Sequence, residues 1–368
     1  MSDPLRYASG CDGLSRALPE LEPALAERAA RLLAGTVGSL HDHPVRFPDP
    51  LTADSWARHM AAGVDVLAVD EMQASGLGTV VANCFSQPEL GFVRGWAASM
   101  REQVDAASGL RLVRSVADLG GPGTGIVLGL EDLGPIAGLT DLSTLFDDGV
   151  RVAGVAYNTG SLLGCGLAQD DTGLTAFGRE AVALMNELGM LLDVSHAGDR
   201  TSLEAIAAST RPAVISHAGA QGLWNSSRMI PDSVIVAAAA SGGMIGIEAA
   251  PGSTRVDLAR ADHTLDDVVR HIEYCVDLVG VDHVGLGADT FYGDHVGLYR
   301  ALGSKGAALP DGAVAFDGDF VAGAENPTEF APQVCSALLL AGWNDADIAK
   351  ILGGNLDRVL RATLPVSA

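Results

Sequence analysis

Short apolar runs recur along the chain, each closed by a polar or glycine-rich break and followed by a longer stretch with helical spacing. The runs are GTVGSLH (35–41), TVVANCF (79–85), GIVLGLE (125–131), VRVAGVAY (150–157), MLLDVSH (190–196), PAVISH (212–217), GMIGIEA (243–249) and HVGLGAD (283–289). Near-continuous hydrophobicity over so few residues is the pattern of parallel strands covered on both faces. Between them lie stretches such as LGFVRGWAASMREQVDAA, TAFGREAVALMNELG, DRTSLEAIAAST, PDSVIVAAAASG and TLDDVVRHIEYCVDLVG, whose apolar residues recur at helical intervals. Eight such alternations predict an α/β fold, a TIM-like (β/α)8 barrel, with an open doubly wound sheet as the competing arrangement.

No low-complexity linker divides the chain, so one domain is expected over 1–368, with a core of about 36–362 and an N-terminal helical extension over 1–34. The Gly/Asp-rich segment 303–325 reads as a long loop before the C-terminal helices, and the wider stretch 290–325 as either a cover for the site or an assembly surface.

Composition narrows the function classes. The 368 residues carry a formal net charge of −23, which opposes binding to polyanions, and the scattered arginines form no basic block. No charged-then-apolar leader opens the chain, and the longest apolar run, VIVAAAASGGMIGI, is too short to span a bilayer. Five cysteines without CxxC spacing (Cys11, Cys84, Cys165, Cys275, Cys335) suggest free thiols in a reducing compartment. The expectation is a cytoplasmic protein with a small-molecule substrate, no nucleic acid and no membrane partner, a homodimer being one open arrangement.

Candidate chemistry sits where the apolar runs stop. His41 closes the first run, Glu131 the third, His196 the fifth, His217 the sixth and Asp289 the eighth. Strand C-termini of a barrel converge on one face, where active sites of this fold lie. Alternate residues of a strand point the same way, so His41 and His43 can aim at one ion if the strand runs on to 43. Imidazoles with carboxylates suit zinc or a similar divalent ion. His59, His263 and His271 fall in helical or loop patterns and read as solvated; His283 begins a run, at the wrong end for catalysis, and His295 follows the last. Lys305 and Lys350 are the only lysines and neither ends a strand, which argues against a carboxylated-lysine bridge.

These residues resemble the membrane (renal) dipeptidase family of zinc-dependent amidohydrolases. The resemblance runs from about residue 36 to 362 and is most specific in GLTAFGREAVALMNELGMLLDVSHAGDRTSLEAI (173–206) and RPAVISHAGAQGLWNSSRMIPD (211–232). HVGLGAD and the closing ENPTEF…AGWNDADIAKILGGNLDRVL fit as well, whereas GPGTG at 121–125 lacks dinucleotide-fingerprint spacing.

The resemblance implies a binuclear zinc site and hydrolysis of dipeptides or related small carboxylate-bearing amides by metal-activated water. His41 and His43 would hold the first ion, Glu131 would bridge, and His196 with His217 would hold the second. Asp289 would be the general acid/base, Arg228 would bind the substrate carboxylate and Asn158 would lie beside the substrate. Two positions depart from the family pattern. His43 stands where H-x-D is expected, removing one negative charge, and Tyr157 precedes Asn158 where a histidine is expected. A tyrosine hydroxyl can donate to an oxyanion but carries no positive charge near neutrality. Alternatives are an amidohydrolase, deaminase or lactonase acting on a non-peptide metabolite, or a catalytically silent barrel serving as a binding module.

Overall fold

In the computed structural model, residues 4–8, 20–63, 65–301, 321 and 323–367 are described. Eight parallel strands follow one another in chain order around the sheet: β1 (Gly38–Asp42), β2 (Thr79–Cys84), β3 (Thr124–Leu130), β4 (Val150–Gly154), β5 (Leu191–Asp193), β6 (Ala213–Ala218), β7 (Ile245–Ile247) and β8 (Val284–Leu286). Every predicted run overlaps one of them, with bounds that agree to within a few residues. Closure occurs just beyond β8, where Asp289 N–H donates to His41 O at 3.0 Å and His43 N–H donates to Thr290 O at 2.9 Å. The sheet is thus a nearly closed barrel rather than an open doubly wound sheet.

Three additions escaped the apolar pattern. Leu110–Leu112 pairs with β3, and the two-residue strands Val45–Arg46 and Val66–Leu67 pair antiparallel. All are too short to show a period. The helices stop where local chemistry dictates. Thr264 and Asp267 form a capping box that opens the helix Leu265–Val279, and Thr175 accepts from Gly178 N–H at the start of Ala176–Leu188. Gly189 ends the latter helix in a left-handed conformation, φ 80°. The helix Pro23–Leu33 lies within the predicted N-terminal extension. Among the described residues, no helix is long and apolar enough to cross a membrane. Most of segment 303–325 lies outside the described residues, so the predicted loop is not placed.

Strand alternation sorts the barrel interior into layers. Leu40, Val81, Val127, Val152, Leu191 and Val214, one from each of β1–β6, cluster together and are plugged from below by Leu356, Val359 and Leu360 of the helix Asn355–Thr363. Two residues further along the same faces come Asn83, Gly129, Gly154, Asp193 and Ser216, and after them Glu131 and Ser195. The interior therefore changes from hydrocarbon to polar groups as the strands approach their C-terminal ends. Gly154 is where the backbones crowd: a Cβ there would sit 1.9 Å from Glu131 O, so its absence lets β4 approach the chain that presents Glu131.

Candidate metal centre

The five strand-end residues converge. His43 Nε2 lies 3.3 Å from both Glu131 Oε1 and Asp289 Oδ1, and His41 Nε2 lies 3.9 and 3.6 Å from the same two atoms. On the other side of this cluster His196 Nε2 is 2.9 Å from His217 Nε2. His41, His43, Glu131 and Asp289 each offer a ligand atom within 4.8 Å of the others, as do His217, Glu248 and Asp289. The four imidazoles and Glu131 are buried.

Hydrogen bonds on the far side of each ring set its tautomer. His43 Nδ1 faces Asn83 O at 2.9 Å, and a carbonyl oxygen only accepts, so the proton is on Nδ1. His196 Nδ1 likewise donates to Asn158 Oδ1 at 3.1 Å. Ser216 settles the other two. Its hydroxyl donates to Asp193 Oδ2 at 2.5 Å, so its oxygen accepts from His217 Nδ1 at 2.8 Å and from His41 Nδ1 at 3.3 Å. All four rings thus turn a protonated Nδ1 to a protein acceptor and aim Nε2 into the same space. Among the described residues, His41 Nε2 and His43 Nε2 are buried without a hydrogen-bond partner. Buried, unpartnered nitrogen lone pairs beside two carboxylates are what a divalent ion of the zinc type takes up.

Electrostatics agree with this arrangement for His41, His196 and His217, whereas at His43 the two carboxylates favour a second proton on Nε2, in the place a cation would take. Burial drives His41 down to about 3, with Asp289 pulling the other way, and burial also holds His196 and His217 well below the usual imidazole range. Burial opposes the charged form of His43 too, but the Asp289 and Glu131 carboxylates beside it raise it to about 10. Burial raises Glu131. For Asp289 burial is outweighed by the neighbouring imidazoles, His43 at 3.3 Å first among them, so its carboxyl stays ionised well below the ordinary range. Asp289 also adopts φ 57°, a left-handed conformation that aspartate tolerates better than most residues and that recurs at functional sites.

A cavity of about 490 Å³ opens onto the cluster, lined by Glu131, Tyr157, His196, Arg228, Glu248 and Asp289 among others. Tyr157 stacks on His196 with ring centroids 4.3 Å apart, and Asn158 faces the same imidazole. His43 stacks on Phe85 at 3.7 Å. Comparison with known proteins matches the description "membrane dipeptidase (peptidase family M19)" to residues 94–298, more than half of the chain. The chain belongs to the membrane dipeptidase family.

Individual relatives are similar over about half of the chain. A dipeptidase of Claviceps purpurea is 31% identical over 198 residues, covering 53% of this chain and 40% of that protein. An uncharacterized protein from the pqqA 5′ region of Klebsiella pneumoniae is 31% identical over 229 residues, covering 60% of this chain and 75% of its own length. The matched chain thus spans well under half of the Claviceps relative. The solved structure of a Pseudomonas aeruginosa amidohydrolase superposes with a TM-score of 0.74 at 26% identity, covering 91% of this chain and 98% of that one. Membership of the membrane dipeptidase family and the donor cluster together support use of a divalent metal.

Some site residues were not read from the sequence. Glu248, one residue beyond β7, is buried in the cavity wall beside Arg228. An acid closing a buried apolar run was the signal that singled out Glu131, and it applied to Glu248 equally. Asp193 and Ser216 form the support beneath the imidazoles; a carboxylate inside the buried run MLLDVSH was their trace. His59, His263 and His271, expected to be solvated, are buried instead. His59 meets Asp65 Oδ1 at 3.1 Å, His263 Nδ1 accepts from Gly252 N–H at 3.1 Å, and His271 Nδ1 accepts from Ala220 N–H at 2.9 Å. His295 is buried too, against Phe291 and at the cavity.

Proposed function

We propose that this protein is a metal-dependent hydrolase that cleaves the amide bond of small dipeptide-like substrates, with two zinc ions as the metal complement. His41 and His43 would hold one ion, His196 and His217 the other, and Glu131 has two carboxylate oxygens with which to span them. Divalent metal in such a site lowers the pKa of water from about 15.7 toward 7 and polarises a carbonyl oxygen. The single observation that carries the reading is the convergence of four imidazole Nε2 atoms with Glu131 and Asp289 at the strand ends, where Glu131, His196 and Asp289 open onto one cavity.

The chain's own groups supply the remaining chemistry. The Asp289 carboxylate, ionised and at the cavity floor, accepts a proton at Oδ1 and can return it to a leaving nitrogen. Tyr157 presents a phenol at the wall, where its O–H can donate to oxygen that gains charge during attack. Asn158 holds the His196 ring in orientation, and the Asn83 carbonyl does the same for His43. Membership of a dipeptidase family supports a peptide-like amide over a lactone.

The test combines elemental analysis of purified protein with turnover of a dipeptide panel that includes D-configured C-terminal residues. About two zinc equivalents and hydrolysis are expected, with Asp289→Asn keeping its metal and losing turnover. Metal-loaded protein that hydrolyses no dipeptide-like amide would overturn the reading.

A further inference from the structure

Arg228 arrives at the cavity from the segment after β6 with its guanidinium already engaged. Nη2 donates to Glu248 Oε2 at 2.5 Å and to His217 O at 2.6 Å, and Nη1 reaches Ser195 O at 3.4 Å. Its charge is matched by a carboxylate of the same chain that is itself 1% exposed. Among the described residues Arg228 is the only Lys or Arg lining this cavity, against the carboxylates of Glu131, Glu248 and Asp289.

The other oxygen of Glu248 completes the picture. Oε1 is buried and has no hydrogen-bond partner among the described residues, while Ser253, whose hydroxyl donates to Ala250 O at 2.7 Å, lies beside the carboxyl and favours its charged form. A free substrate carboxylate brought to Arg228 would have to compete with Glu248 for the same guanidinium and set two carboxyl groups against each other in a largely desolvated pocket. A carboxamide meets no such penalty. Its N–H can donate to the unpartnered Glu248 oxygen and its carbonyl accept from the guanidinium, one donor and one acceptor opposite an acceptor and a donor.

We propose that Glu248 is a specificity-determining residue that turns the Arg228 end of the cavity from a carboxylate site into a carboxamide site. The amide hydrolysed would then be one whose far end is an uncharged N–H-bearing group, such as a dipeptide amide, in preference to a free dipeptide. The choice of scissile bond rests on the hydrolase reading above; the preference between the two termini does not.

The experiment uses the metal-loaded protein and two non-cleavable ligands, alanyl-alanine with its peptide bond reduced to CH2–NH, as the free acid and as the carboxamide. Calorimetry on the wild type should show the carboxamide binding at least about tenfold more tightly, and Glu248→Gln should erase or reverse that order by leaving the Arg228 charge unmatched. Equal or tighter binding of the acid by the wild type, or no binding of either, overturns the proposal. Metal lost from Glu248→Gln, read by elemental analysis, also overturns it by making Glu248 a ligand instead. Should the variant not fold, the wild-type comparison alone decides. Turnover of alanyl-alanine and alanyl-alaninamide is read in parallel: a carboxamide preference in binding without release of alanine from either retains the pocket assignment and removes the hydrolase reading.

Discussion

His196 and His217 face each other across the mouth of the barrel with their Nε2 atoms 2.9 Å apart, and each ring has its proton on the opposite nitrogen. Two lone pairs at that separation repel, and the Asn158 and Ser216 contacts behind the rings favour keeping each N–H turned outward. A cation between them converts the repulsion into attraction. Zinc at 100 times its dissociation constant should stabilise the fold by about 2.7 kcal/mol per site, and chelation should remove that increment. Calorimetric melting with and without chelator checks this: a fall of several degrees on chelation is expected, with a smaller fall in His217→Gln. Identical melting curves for both forms of the wild type would count against a metal between these rings.

Ser216 is a single hydroxyl that serves two imidazoles. Because its proton goes to Asp193, its oxygen fixes the tautomers of both His41 and His217. Ser216→Ala should remove both contacts, leave Asp193 Oδ2 without its shortest donor and lower metal affinity about 10–100-fold. The measurement is competition against a chromophoric chelator. Circular dichroism and the melting temperature in chelator serve as controls, because a loss confined to metal affinity separates ring orientation from general damage to the core.

The parts of the site legible in the sequence were those bound to strand ends. His41, Glu131, His196, His217 and Asp289 could be found because apolar runs of four to eight residues locate a barrel's strands, and the fold brings their ends to one face. The support beneath was less visible. Asp193 and Ser216 belong to neighbouring strands, and that the hydroxyl of one serves two rings depends on the lateral register of β1, β5 and β6. His263 and His271 read as solvated because the N–H groups of Gly252 and Ala220 that they accept from lie 11 and 51 residues away. The Arg228–Glu248 pair was missed for a different reason. An arginine in a polar segment looks free until the acid opposite it is placed, and here that acid is 20 residues on.

Tyr157 offers a test of the oxyanion role. Its ring packs on His196 whether or not the phenol acts in catalysis, so Tyr157→Phe keeps the stacking and removes only the hydroxyl. If the hydroxyl donates to the charge that develops during attack, kcat should fall by about 10²-fold with KM little changed. A drop in kcat/KM carried by KM alone would assign the hydroxyl to substrate binding, and an unchanged kcat would leave Tyr157 as packing for His196.

The buried histidines away from the site predict how stability depends on pH. His271 is 0% exposed and accepts a backbone N–H through Nδ1. Burial holds it down to about 4 from 6.5, and burial together with the neighbouring His271 holds His263 down to about 3. Thr254 Oγ1 donates to Glu248 O, so it accepts from His263 Nε2, which leaves His263 Nδ1 as the acceptor for Gly252 N–H. Both rings are therefore neutral in the fold. In the unfolded chain each takes up a proton near pH 6.5, so the unfolded state binds more protons below that pH. The contribution of these two rings is undiminished above pH 6.5 and falls as the pH drops toward 4, by up to about 1.4 kcal/mol per pH unit for each ring. Replacing His271 with Gln, whose amide oxygen can still accept from Ala220 N–H, should reduce the steepness of that fall by roughly one ring's worth. Urea denaturation of the chelated protein at intervals from pH 7 to 5 measures both slopes. Equal slopes in the wild type and His271→Gln would mean that His271 is protonated in the native state.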